Sequence, residues 1–190
     1  MDLQSLDDNK LVEKAKNNPD AFAYIINKYN GPLSRFIKRI SYFRHEDIED
    51  ILQDVFIKVY KSLNAYDPKL KFSSWLYQIC RNQTIDQIRK NKARVTMIQL
   101  DSEDIAKMFS SDTDLKKELE LKDELQKVKS AISELPFKYR EVLILKFIEE
   151  MNYNEIIDVI KKPKGTVATL INRGKKMLVK KLKHSKKTSK

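Results

Sequence analysis

Apolar residues recur every three or four positions through most of the chain, and that spacing predicts helices. Leu6, Leu11, Val12 and Ala15 line one side of a first helix over residues 5–17. A second, with Asp20 as its N-cap, carries Phe22, Ile25, Ile26, Tyr29, Leu33, Phe36, Ile37 and Ile40 on one face. Gly31-Pro32 should kink or break it, because proline removes a backbone donor and crowds the preceding turn. A third helix over 46–65 turns Ile48, Ile51, Leu52, Val55, Phe56, Val59, Tyr60 and Leu63 inward. Tyr66-Asp67-Pro68-Lys69 reads as a turn. A fourth helix, starting near Ser73, buries Trp75, Leu76, Ile79, Cys80, Ile85 and Ile88.

The rhythm fades over residues 93–114, where Asp101, Glu103, Asp104, Asp112 and Asp114 collect. This is expected to be a flexible acidic linker, with a short helical turn at 105–109. Helical spacing returns in segments 115–134, 137–149, 153–161 and 164–183, separated by Pro136, Met151-Asn152 and Pro163. The expected fold is therefore all-α, with two small helical domains. One is a bundle over 1–92; the other, over 115–184, is followed by a disordered basic tail at 185–190.

Composition supports this and narrows the chemistry. With only 3 Gly and 5 Pro in 190 residues, a many-turned β fold is disfavoured. A single cysteine, Cys80, excludes an internal disulfide and a thiolate metal cage. The polar, acidic opening MDLQSLDDNK is unlike a secretory signal, and no apolar run nears the ~20 residues that span a bilayer. A cytoplasmic protein without cofactor or metal is expected. The net charge of +11 is concentrated: 12 of the 38 basic residues, and no acidic ones, lie in 161–190. A basic end of this kind is the footprint of a polyanion-binding segment.

That end also has a motif. The short helix at 154–160, the connection Lys161-Lys162-Pro163 and the longer helix opening at Gly165-Thr166 have helix-turn-helix spacing. Val167, Leu170, Ile171, Met177 and Leu178 form the inward stripe of the second helix; Ala168, Thr169, Asn172, Arg173, Lys176 and Lys180 form the outer one. The outer stripe is small and uncharged at first, suited to base edges, then basic, suited to phosphates. The amides at Gly165 and Thr166 can meet a phosphate at the helix N-terminus. In the N-terminal half, Phe72, Trp75 and Tyr77 lie near Arg81, Asn82, Gln83, Arg89, Lys90 and Lys92, a mixture suited to stacking single-stranded bases. Glu46, Asp47, Glu49, Asp50 and Asp54 make the preceding helix acidic, which a basic protein partner would match.

The stretch DIEDILQDVFIKVYKSLNAYDPKLKFSSWLYQICRNQTIDQIRK, 47–90, resembles region 2 of the extracytoplasmic-function sigma factors. LPFKYREVLILKFIEEMNYNEIIDVIKKPKGTVATLINRGKKML, 135–178, resembles their region 4. The resemblance implies a non-catalytic subunit that binds core RNA polymerase, directs it to promoter DNA and helps open the duplex. Asp50, Gln53 and Asp54 would dock on the polymerase clamp. Asp67, Lys69, Lys71, Phe72, Trp75, Asn82, Arg89 and Lys90 would recognise and melt the minus-10 element. Lys164, Gly165, Thr166, Ala168, Thr169, Asn172, Arg173 and Lys176 would read the minus-35 element. Such proteins are commonly held inactive by an anti-sigma factor, often membrane-anchored.

Departures from the family lie in the helix-turn-helix. Ile157 replaces a small residue, Lys162 an apolar one, and Ala168 and Leu170 stand where basic residues are common, which predicts an altered minus-35 preference. A helix-turn-helix repressor is the rival binding protein, but it leaves the aromatic and basic residues of 72–92 without a role. An enzyme is disfavoured, with no glycine-rich phosphate loop and only His45 and His184 as histidines.

Overall fold

The computed structural model describes residues 6–41, 43–90 and 122–187, with the side chains of 122–126 and 184–187 outside the description. The linker expected at 93–114 lies outside the described residues, as do 188–190 of the tail expected at 185–190; residues 185–187 instead continue the last helix. The chain divides into two compact units, one of Met1–Val95 with Asp158–Ile160 and the other of Thr96–Ile157 with Lys161–Lys190. Among the described residues all regular structure is helical.

In the first unit, α1 (Asp8–Ala15) begins at Asp7, whose carboxylate accepts from the Lys10 amide at 2.8 Å. This N-cap hydrogen bond lowers the Asp7 pKa. Leu11, Val12 and Ala15, each 1% exposed, bury its inner face, and α1 packs on α2 (Pro19–Ile40). The α2 N-cap is Asn18 rather than Asp20: its side chain accepts from the Asp20 amide at 2.9 Å, and Pro19 follows as the first helical residue. Proline suits that position because the amide it lacks would have had no helical partner.

Gly31-Pro32 does not break α2. The helix runs through Pro32, and Leu33, Phe36, Ile37 and Ile40 beyond it are fully buried. An interior proline costs about 3 kcal/mol, whereas each fully buried large apolar side chain returns about 1.5–3 kcal/mol. Four such anchors outweigh one missing hydrogen bond.

The bundle continues with α3 (His45–Ser62), which ends in a 3₁₀ turn, Leu63–Ala65, and with α4 (Phe72–Lys90). Helix α3 packs against α2 and α4 through Ile48, Ile51, Leu52, Val55, Phe56 and Val59. Tyr60, expected inside, is 51% exposed, its ring packed edge-on to Phe22 with the centroids 4.8 Å apart. Ile85 and Ile88 of α4 are half-buried rather than core residues.

After the first bundle the chain forms α5 (Lys122–Ser133), α6 (Phe137–Leu143), α7 (Tyr153–Ile160) and α8 (Lys164–Lys187). The helix expected over 137–149 changes character midway, α6 passing into a π-helical turn at Ile144–Ile148. There the Glu149 amide reaches Ile144 O at 3.0 Å. Val142, Leu143, Ile144 and Leu145 are all at most 1% exposed, so this segment is buried on every side. Arg140, 3% exposed, donates to the Ser133 and Leu135 carbonyls at 3.1 and 3.3 Å, satisfying backbone acceptors at the end of α5.

Candidate nucleic-acid interface

On α3 the three- and four-residue spacing puts Asp50, Gln53 and Asp54 on the face opposite Ile51, Leu52 and Val55, and all three are exposed. Ile57, 53% exposed, and Tyr60 extend that strip, so an apolar end adjoins the acidic one. Sequence reasoning missed the apolar end because Tyr60 fits the inward spacing equally well.

Between α3 and α4 the chain makes a tight loop. The Leu70 amide donates to Asp67 O at 3.0 Å, and the Lys69 amide donates to Asp67 Oδ1 at 2.9 Å. Asp67, Lys69 and Lys71 are exposed on it. Tyr66, taken from sequence as part of a turn, is 4% exposed and anchors the loop from beneath. Its ring lies 5.3 Å from both Phe72 and Trp75, and Phe72 lies 5.7 Å from Trp75 and 5.8 Å from Tyr29.

The three aromatics that the sequence singles out, Phe72, Trp75 and Tyr77, have different standings. Phe72 is 1% exposed and Tyr77 6%, so both are core residues and neither offers a face to a base. Tyr77 packs against Phe36 at 5.0 Å. Only Trp75, half-buried, presents part of its ring outward, braced by Tyr66 and Phe72. Seven residues on, Asn82 falls on the same face of α4, and Gln78 lies between them. Arg89 and Lys90 are exposed in the last turn, where Arg89 pairs with Asp86 at 3.4 Å. The structure thus brings the exposed Asp67, Lys69 and Lys71 of the loop next to the Tyr66–Phe72–Trp75 cluster, with Asn82 exposed about two turns further along α4. Burial raises the Tyr29 and Tyr66 pKa values, helped by the Asp8 carboxylate.

In the second unit, α7 opens with a reciprocal capping box. Asn152 Oδ1 accepts from the Glu155 amide at 3.1 Å, and Glu155 Oε2 accepts from the Asn152 amide at 2.7 Å. It closes at Lys161, which adopts a left-handed conformation (φ 51°, ψ 51°) and turns the chain toward α8. Val167, Ile171 and Leu178 are buried, while Lys164, Gly165, Thr166, Thr169, Asn172, Arg173 and Lys176 are exposed. Ala168 is half-buried. The Thr169 hydroxyl donates back to Gly165 O at 2.8 Å. Lys162 is exposed, so its charge carries no burial cost; Ile157 and Leu170 are half-buried. Gly174, which sequence reasoning passed over, is buried against Leu143 and lets α8 approach α6 closely.

Residues 25–94 match the Sigma-70 region 2 family, and residues 125–178 match Sigma-70, region 4. The two modules are therefore those of a sigma-70-type factor. More narrowly, the chain belongs to the ECF RNA polymerase sigma factors. It is 35% identical over 182 residues to the ECF RNA polymerase sigma factor SigW of Bacillus subtilis, covering 92% of this chain and 95% of that protein. The ECF RNA polymerase sigma-E factor of Escherichia coli is 28% identical, with 92% of this chain and 94% of that one covered. Two solved structures share the fold. CnrH, in complex with the cytosolic domain of CnrY, has a TM-score of 0.68 at 23% identity, covering 93% of this chain and 97% of that one. The sigma factor RpoE of Bartonella quintana, in complex with the anti-sigma factor NepR, has a TM-score of 0.64 at 20% identity, covering 85% of this chain and 96% of that one.

Proposed function

We propose that the chain works in the cytoplasm as a non-catalytic subunit of RNA polymerase, directing the enzyme to promoters and helping to melt them. The observation that carries this reading is the pairing, within one bundle, of an exposed acidic strip on α3 with an aromatic and basic surface on α4. Asp50, Gln53 and Asp54 dock on the polymerase, with Ile57 and Tyr60 supplying apolar area. The Asp67–Lys71 loop, Trp75 and Asn82 take up the minus-10 strand, and Arg89 and Lys90 face its phosphates. Phe72 acts beneath them as a support. Extracting a base costs a few kcal/mol, which stacking on Trp75 offsets.

The exposed face of α8 reads the minus-35 element. With the Thr169 hydroxyl turned back to Gly165, its methyl is free to contact a thymine methyl. Arg173 and Lys176 bind phosphates, and the Gly165 and Thr166 amides a further one. The Bartonella relative's complex with NepR supports an anti-sigma factor as a regulatory partner here. Run-off transcription with purified core polymerase and a randomised promoter library tests the reading. Selective initiation from a promoter subset is expected; folded protein that initiates from none overturns it.

A further inference from the structure

The first turn of α1 precedes the matched residues 25–94, yet it reaches the candidate minus-10 surface at two points. The Tyr66 hydroxyl lies 2.8 Å from Asn9 Oδ1 and 2.6 Å from the Leu70 carbonyl oxygen. A phenol has one proton to give, so it serves one of these acceptors at a time. Turning the Asn9 amide over lets its NH₂ donate to the phenol oxygen while Tyr66 donates to Leu70. One residue earlier, Asp8 accepts from the Tyr29 hydroxyl at 2.6 Å and from Lys28 Nζ at 2.7 Å. Tyr29 and Tyr66 both pack edge-on against Phe72. Adjacent residues of one helical turn therefore hold the two tyrosines that flank the support of Trp75.

We propose that Asn9 and Asp8 are positioning residues for promoter reading. The Asn9–Tyr66–Leu70 chain fixes the shape of the 66–71 loop, and the Asp8–Tyr29 pair holds the back of the aromatic cluster. Asp67, Pro68, Lys69 and Lys71 are all exposed, so the loop has few apolar anchors and depends on the polar tie beneath it. A loop held in its binding shape loses less entropy on contact and adapts less readily to a wrong base. Docking of α1 itself does not depend on Asn9, which is exposed, because Leu11, Val12 and Ala15 supply its buried area. This inference rests on the minus-10 assignment made above.

The test uses the full chain bound to core polymerase and a promoter selected in the run-off experiment, with 2-aminopurine in the minus-10 non-template strand. Open-complex formation is compared with that on the same promoter carrying one changed minus-10 base. In Asn9→Ala and Tyr66→Phe the cognate-to-changed ratio should fall about 2- to 10-fold, the worth of one hydrogen bond, at unchanged polymerase affinity. An equal loss on both promoters, or no change, overturns the proposal. Trp75→Ala separates the two levels. If it narrows the ratio while Asn9→Ala and Tyr66→Phe do not, only the positioning role fails; if it also leaves the ratio intact, the minus-10 assignment falls as well.

Discussion

Gly174 in α8 lies directly against Leu143 in α6: a Cβ at Gly174 would stand 3.2 Å from Leu143 Cγ and 3.3 Å from its Cδ1. Leu143 is 1% exposed and has little space to withdraw. Replacing a mid-helix glycine by alanine ordinarily gains about 1 kcal/mol, while overpacking a core costs about 1–3 kcal/mol. Gly174→Ala should therefore show no gain and a net loss of roughly 1 kcal/mol, with Gly174→Val worse. Combining Gly174→Ala with Leu143→Ala should cost less than the two singles added, in a denaturant-unfolding double-mutant cycle.

Ser74 makes the opposite case. Its side chain is 0% exposed, and among the described residues Oγ has no hydrogen-bond partner. Ser74→Ala removes a desolvated hydroxyl and adds helix propensity. Thermal unfolding should show a gain of about 1 kcal/mol, or roughly 4–8 °C for a domain of this size. A lower midpoint would mean that the hydroxyl is satisfied.

Lys161 holds left-handed backbone angles where a side chain costs about 1–2 kcal/mol. Lys161→Gly should stabilise the second unit by about 1 kcal/mol, and Lys161→Val should destabilise it. Equal midpoints for the three proteins in urea unfolding would contradict strain at this turn.

Tyr29 ties stability to alkaline pH. Burial and the Asp8 hydrogen bond raise its folded pKa above the ordinary 10.0. The unfolded chain therefore loses this proton first as pH rises. The associated stability is complete below 10.0 and declines above it, until the folded tyrosine also ionises. Tyr29→Phe should be less stable near neutrality, through loss of the Asp8 bond, and should lose less stability between pH 9 and about 11. Parallel stability–pH curves would rule the coupling out.

For polymerase docking, Asp50→Lys with Asp54→Lys should weaken binding to core polymerase about 10- to 100-fold at low salt, with the difference shrinking as salt rises. Both carboxylates are exposed, so folding should be unaffected. Unchanged affinity in a titration with labelled core would remove α3 from the docking surface.

The sequence alone determined the helical class, the division into modules, and the faces of α3 and α8 that carry Asp50, Gln53, Asp54, Asn172 and Arg173. These follow from spacing and charge, because a helix repeats every 3.6 residues whatever its neighbours are. Spacing does not say which side of a broad apolar stripe meets another helix, so Tyr60 reads as an inward residue yet is exposed. Nor does it weigh one local cost against many distant contacts. Gly31-Pro32 reads as a kink or a break, yet burial of Leu33, Phe36, Ile37 and Ile40 keeps α2 unbroken through Pro32. Tyr66 reads as a turn residue and Phe72 as a base-stacking one. Only the tertiary structure decided that both are buried and that Trp75 is left at the surface. The link from Asn9 to Tyr66 spans 57 positions, a hydrogen bond that exists only because the bundle closes.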